Sequence, residues 1–379
     1  MRLAPILCLS LAAPIAFASP GPRIVEHDVQ VRLDPYRSRL EATDRFTIVG
    51  YQQSLLRFLL NEDLEIASLR IEGRDLRWRE EAFDRAHWVD LPAGEGGAFE
   101  GVREVLVNLP AGGEDSLDLV IAYAGTVLYS LRGPDQSYDR SFETTSGLVE
   151  ERGVYLAGST FWVPTVPGDL FSFRLEARVP PGWESVSQGE LVGRFEEGGY
   201  RIARWRAADP MEEAYCVAGP YVFREADFKN IKIQTFLYES NDAAELHERY
   251  VGAARTFLDR YGREIGPYPF PKFALVENFW QTGFGMPSFT LLGTQVIRLP
   301  FIPGTSFGHE ILHNWWGNGV YVDWEKGNWC EGLTAYGADY AYKTDQGPRE
   351  GAAYRRGELQ KYRNFVSGSE DFPLVEFRS

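Results

Sequence analysis

A two-part α+β chain is predicted, on three observations. Residues 24–223 alternate apolar and polar side chains with period two, in short runs closed mostly by Gly, Pro, Asp or Asn. Beyond about residue 222 the period lengthens to that of a helix. The 379 residues exceed one ordinary hydrophobic core. We therefore expect an N-terminal antiparallel β domain, a sandwich or saddle-like sheet, followed by an α/β domain, with the division at 222/223.

Residues 1–18 read as a secretory leader. Arg2 supplies the positive start, Leu3 to Phe17 the apolar stretch, and Ala16-Phe17-Ala18 a small-x-small cleavage site. The stretch is short and broken by Pro5 and Pro14, so it does not read as a membrane span, and no later stretch reaches spanning length. The expectation is an exported chain, periplasmic or extracellular, with its β domain at 19–222. Removing the leader takes Cys8 and leaves Cys216 and Cys330, which can pair only if their Cα atoms lie within about 7 Å. Cys330 precedes Glu331, which leaves a zinc-ligand role open, but it reads first as a small buried apolar residue. A net charge of −15 and a pI near 5.0 argue against nucleic acid or an anionic membrane as partner. Oligomeric state is not legible.

Strands are expected at Val29/Val31/Leu33, Leu40/Ala42, Val105/Val107/Leu109 and Leu117/Leu119/Ile121/Tyr123. The cleanest alternation is Phe171/Phe173/Leu175/Ala177/Val179. Ala93 to Gly97 reads as a hairpin tip or flexible loop. After Gly219-Pro220 one more strand, Ile231/Ile233/Thr235/Leu237, precedes a helix over 242–261. Asn241 caps that helix, Leu246, Tyr250, Ala253, Phe257 and Tyr261 form its stripe, and Gly262 ends it. His27, His87 and His247 have no companions at metal-ligand spacing and read as surface or half-buried residues. A Pro-rigid entry, 266–273, leads into a strand over 273–276.

The chemistry is concentrated in Gly308-His309-Glu310-Ile311-Leu312-His313-Asn314-Trp315-Trp316-Gly317-Asn318. Four residues apart on a helix, His309 and His313 project from one face, as two ligands of a zinc ion must. Glu310 lies beside the first histidine, placed to act as general base without being a ligand. Glu331 opens a second helix-like run and is the natural third ligand, leaving one position open as a catalytic rather than structural zinc requires. The plainer reading, an amphipathic core helix through Phe307, Ile311, Leu312, Trp315 and Trp316 with two satisfied histidines, gives Glu310 and Glu331 no purpose. One zinc ion on His309, His313 and Glu331 is the expectation.

Gly308 to Asn318, together with Asn328 to Tyr336, resembles the zinc aminopeptidase family of alanyl aminopeptidase and leukotriene hydrolase. Seventeen residues, 314–330, separate His313 from Glu331, one fewer than usual in that family. The stretch 27–48 and the run from Phe161-Trp162-Val163-Pro164 to Gly189 resemble the family's β domain. The resemblance implies a thermolysin-like α/β zinc domain at 223–379, a peptide substrate, and aminopeptidase-type hydrolysis by a zinc-activated water. It also implies that Phe284, Gly285 and Met286 form an extended edge that aligns substrate. The family's Gly-x-Met-Glu-Asn motif is altered. Aligned on Met286, Pro287 stands where the Glu that binds the substrate's free ammonium belongs, and Ser288 where the Asn belongs.

Three readings follow from that gap. Another carboxylate (Glu277, Glu150 or Glu151) serves instead, or the enzyme is an endopeptidase or other hydrolase without need of a free amino terminus, or the fold persists as an exported β-rich binding protein with a non-catalytic zinc. The family's tyrosine segment of the Tyr-x-Lys-Gly type is also absent after Glu331, with Tyr354 and Tyr362 as weak substitutes. The expectation is that the sequence stops short of that tyrosine and of a helical C-terminal domain.

Overall fold

The computed structural model describes residues 21–51, 55–88, 99, 101–110, 116–133, 143–240, 242–323, 326–368 and 371–377. The leader, the 93–97 loop and the cap at Asn241 lie outside these.

The first half is β throughout. An eight-stranded sheet runs in the order 190–197, 200–211, 171–179, 23–34, 39–49, 116–126, 64–71, 74–75. A three-stranded sheet (Leu55–Asn61, Val102–Asn108, Trp78–Ala82) and a four-stranded one (Glu184–Val186, Cys216–Gly219, Gly153–Leu156, Leu148–Glu150) pack with it. The alternation turns the expected residues inward. Val29, Val31 and Leu33, and Phe171 through Val179 at every second position, are all at most 3% exposed. One pairing departs from the antiparallel expectation: Arg23–Asp34 runs parallel to Phe171–Val179, with Val29 opposite Leu175. Strands so distant in sequence need no tight turn, so parallel pairing carries no penalty in connection. His27 departs too. It is 1% exposed, and its Nδ1 lies 2.6 Å from the buried Asp44 carboxylate.

The second half is built on a five-stranded mixed sheet in the order 221–228, 231–238, 272–278, 289–293, 283–286. Helix α1 (Ala243–Glu264) makes the crossover between the parallel strands Ile231–Tyr238 and Lys272–Asn278. Its buried stripe is Leu246, Tyr250, Ala254, Phe257 and Tyr261, so Ala254 takes the place expected of Ala253. The helix passes through Gly262 because tertiary packing overrides the roughly 1 kcal/mol that Gly costs mid-helix. It ends before Gly266-Pro267 instead. His247 is buried and pairs with the Thr235 hydroxyl at 2.7 Å, a structural histidine.

Among the described residues four further α-helices follow: α2 (Ser306–Leu312), α3 (Cys330–Ala335), α4 (Ala341–Gln346) and α5 (Pro348–Phe365). Phe307, Ile311 and Leu312 seat α2 in a core shared with α1 and the sheet. A second apolar core starts in the β half and continues into Ala274, Val276, Phe289 and Leu291 of the sheet. Among the described residues no helix is long and apolar enough to cross a membrane.

Candidate metal centre

Helix α2 carries His309 and Glu310, and His313 caps its C-terminus. Glu331 sits in the first turn of α3, which packs against α2. Nε2 of His309 lies 3.4 Å from one Glu331 oxygen, and Nε2 of His313 lies 3.4 Å from the other. The donor atoms of the three residues lie within 4.8 Å of one another. Tetrahedral bonds of about 2.0–2.1 Å place neighbouring donors about 3.3–3.4 Å apart. Each histidine stands at that spacing from Glu331, and small side-chain shifts bring all three donors onto one small cation; two imidazoles with a carboxylate suit zinc.

The remaining ring nitrogens are committed. Nδ1 of His309 lies 3.1 Å from Asp339 Oδ2. Nδ1 of His313 is 3.2 Å from the Trp316 carbonyl, with Cys330 Sγ at 3.3 Å and Thr334 Oγ1 at 3.4 Å. Asp339 did not emerge from the sequence. Its one signal is a carboxylate eight residues beyond Glu331 on the same helical run. Burial works against charge on His309, yet the carboxylates of Asp339 and Glu331 outweigh it and lift that imidazole to about 10. Burial, opposed by the Glu331 carboxylate and helped by the neighbouring His309, keeps His313 below the ordinary histidine value. Glu310 is not among the three donors. Burial lifts its carboxyl to about 7 against the pull of His309.

The strand Gly283–Met286 is the outer strand of the five-stranded sheet and touches α2. A Cβ built on Gly285 would lie 2.9 Å from Glu310 Oε2 and 3.1 Å from His313 Cβ, so glycine lets the strand approach α2 without displacing the Glu310 carboxylate. The Asn318 amide holds it by donating to the Gly285 carbonyl at 3.1 Å. Phe284 and Gly285 are half-buried and Met286 is buried. Pro287 and Ser288 form the two-residue turn into Phe289–Gly293, with φ +66° at Ser288. Proline followed by a positive φ is the pattern of a type II turn, which accounts for Pro287 locally.

That turn is anchored on both sides. Ser288 N–H donates to Asn314 Oδ1 at 2.7 Å, tying it to α2. Lys272, 1% exposed, donates to the Ser288 carbonyl and hydroxyl and to the Ser187 carbonyl at 2.7–3.1 Å. Burial pushes the Lys272 ammonium well below the usual lysine value. Gly189 N–H donates to Ser288 Oγ at 3.0 Å, and the neighbouring Gln188 holds the Glu213 carbonyl. The Glu213 carboxylate accepts from Gly158 N–H and the Tyr215 hydroxyl, and burial raises it.

The carboxylates weighed as substitutes for the missing Glu are otherwise engaged or placed. Glu277 is buried, accepts from Tyr238 N–H at 2.9 Å and pairs with Arg298 at 2.6 Å. Glu150 pairs with Arg152, and Glu151 is exposed in the turn beside it. Replacing Arg298 by Met leaves Glu277 buried without its cation. It is expected to lower the unfolding free energy by about 3–5 kcal/mol, measured by urea denaturation. Of the two tyrosines, Tyr362 donates to Asp371 at 2.7 Å on the exposed α5. Tyr354 is half-buried, and burial together with the nearby Asp339 raises its hydroxyl. Cys216 and Cys330 are both buried and free.

No protein-family model and no curated protein matches the sequence. Solved structures do match. The M1 zinc metallopeptidase from Deinococcus radiodurans superposes with a TM-score of 0.71 at 17% identity, covering 95% of this chain and 78% of that one. A mutant of that protein bound to a Tyr-ser-ala substrate gives 0.66 at 17%, covering 94% and 78%. Native yeast LTA4 hydrolase gives 0.57 at 14%, covering 78% of this chain and 44% of that one. This chain has the M1 metallopeptidase fold.

Proposed function

We propose that this protein is a zinc-dependent peptidase of the aminopeptidase type, with 223–379 as its catalytic domain and 19–222 as its β domain. The observation that carries the reading is the convergence of His309, His313 and Glu331 within 4.8 Å, beside a half-buried Glu310 that faces a sheet edge. His309, His313 and Glu331 hold the metal. A zinc ion there supplies Lewis acidity toward a peptide carbonyl and lowers the pKa of water. Glu310 takes the proton of the attacking water and passes it to the leaving amine. The strand through Phe284, Gly285 and Met286 aligns the substrate by backbone hydrogen bonds. Asn314 and Asn318 fix that strand against the helix.

The Pro287–Ser288 turn favours a second reading, an endopeptidase or other hydrolase indifferent to a free amino terminus, since Pro287 has neither charge nor a backbone donor. A pool of peptides, each present free and N-acetylated, incubated with and without chelator and read by mass spectrometry, decides between them. Chelator-sensitive loss of single residues from free peptides alone is the expected result. Cleavage of both forms would establish the second reading. No cleavage by a zinc-loaded protein would overturn both and leave a zinc-holding binding protein.

Gly285→Ala tests the edge. Its methyl would meet the Glu310 carboxylate end at 2.9 Å and His313 Cβ at 3.1 Å, so the carboxylate or the strand must shift, and kcat/KM is expected to fall, by about 100-fold where the shift reaches about 1 Å. Zinc content is expected to stay at the parental level, checked by metal analysis beside steady-state kinetics.

A further inference from the structure

Helix α3 does not end at Ala335. It continues through a π-turn, Tyr336–Tyr340, into α4, and Ala341 N–H bonds the Tyr336 carbonyl five residues back. Such turns are rare and concentrate at functional sites. What this one does follows from winding. Glu331 and Asp339 are eight residues apart, which on an uninterrupted α-helix sets them roughly 80° apart around the axis. A π-turn winds by roughly 80° per residue instead of 100°, so four α steps and four π steps return to within about 10°. The two carboxylates thereby share one face and reach the same imidazole from its two nitrogens, Glu331 toward Nε2 at 3.4 Å and Asp339 toward Nδ1 at 3.1 Å.

We propose that Asp339, brought into phase with Glu331 by the π-turn, is a positioning residue that holds His309 in the ring orientation and tautomer the metal requires. Accepting from Nδ1–H leaves the lone pair on Nε2 and stops the ring from rotating. The Asp339 side chain is 36% exposed, so an ordinary surface contact would leave metal binding unchanged. Thr334 and Cys330 on the same run flank the other imidazole, so one helical segment supplies a ligand and side-chain neighbours for both histidines.

The inference rests on the zinc reading above, and the test separates the two. The zinc dissociation constant is measured by competition with a colorimetric chelator for the parent, Asp339→Ala, Asp339→Asn and His309→Ala, alongside the melting temperature of each zinc-free protein. Asp339→Ala is expected to bind zinc about 10–100-fold more weakly, with the zinc-free melting temperature unchanged. Asp339→Asn keeps the shape and an acceptor, so its loss is expected to be smaller and its fold secure. Parental zinc affinity in both Asp339 variants would overturn the positioning role. A parent that binds no zinc, or a His309→Ala protein that binds it as tightly as the parent, would overturn the zinc reading and this inference together.

Discussion

Glu310→Gln is expected to keep its zinc and to lose peptide hydrolysis by about 10²–10⁴-fold, the range a positioned general base contributes. Glutamine matches the shape of glutamate, so α2 and its contact with the Gly285 strand stay as they are. It cannot take a proton from water, and Glu310 is not among the three donors that define the metal group. Metal analysis should therefore give the parental stoichiometry while the initial rate collapses. A zinc-loaded, fully active variant would remove Glu310 from the mechanism.

His313→Ala is expected to fail at the earlier step, by releasing the metal. Structural zinc sites contribute roughly 10–16 kcal/mol, shared among four donors. Losing one donor therefore costs about 3 kcal/mol, on the order of 100-fold in affinity. Ring removal also frees the Glu331 oxygen that faces Nε2 at 3.4 Å and takes one side-chain neighbour from each of Cys330 and Thr334. Dialysed protein should be zinc-poor and inactive, with activity returning in part at high zinc. That rescue separates His313→Ala from Glu310→Gln, which added zinc cannot restore. A dialysed variant with full zinc would take His313 out of the ligand set.

Both predictions rest on residues legible before any coordinates, and the reason is local geometry. An i, i+4 spacing on a helix places two side chains on one face whatever the rest of the chain does, so His309, Glu310 and His313 could be read directly. Period-two alternation likewise exposes which residues of Phe171–Val179 face inward, because the pleat leaves no choice. Glu331 needed only one more short helix. The resemblance to the aminopeptidase family rested on the same two segments, and the M1 fold agrees with it.

What the sequence determined by itself is therefore the two-part architecture, the strands and helices in outline, and the grouping of His309, His313 and Glu331 beside Glu310. The tertiary structure alone decided which distant partners meet. Arg23–Asp34 pairs parallel with a strand beginning at Phe171, Arg298 neutralises Glu277, and Lys272 is buried against the Ser288 turn. Asp339 is the plainest case: read as an ordinary α-helix, its spacing from Glu331 turns it away, and only the π-turn brings it back to His309. The physical reason is range. Backbone periodicity acts over a few residues and is written in the spacing, whereas strand order and helix phase are set by packing across the whole chain.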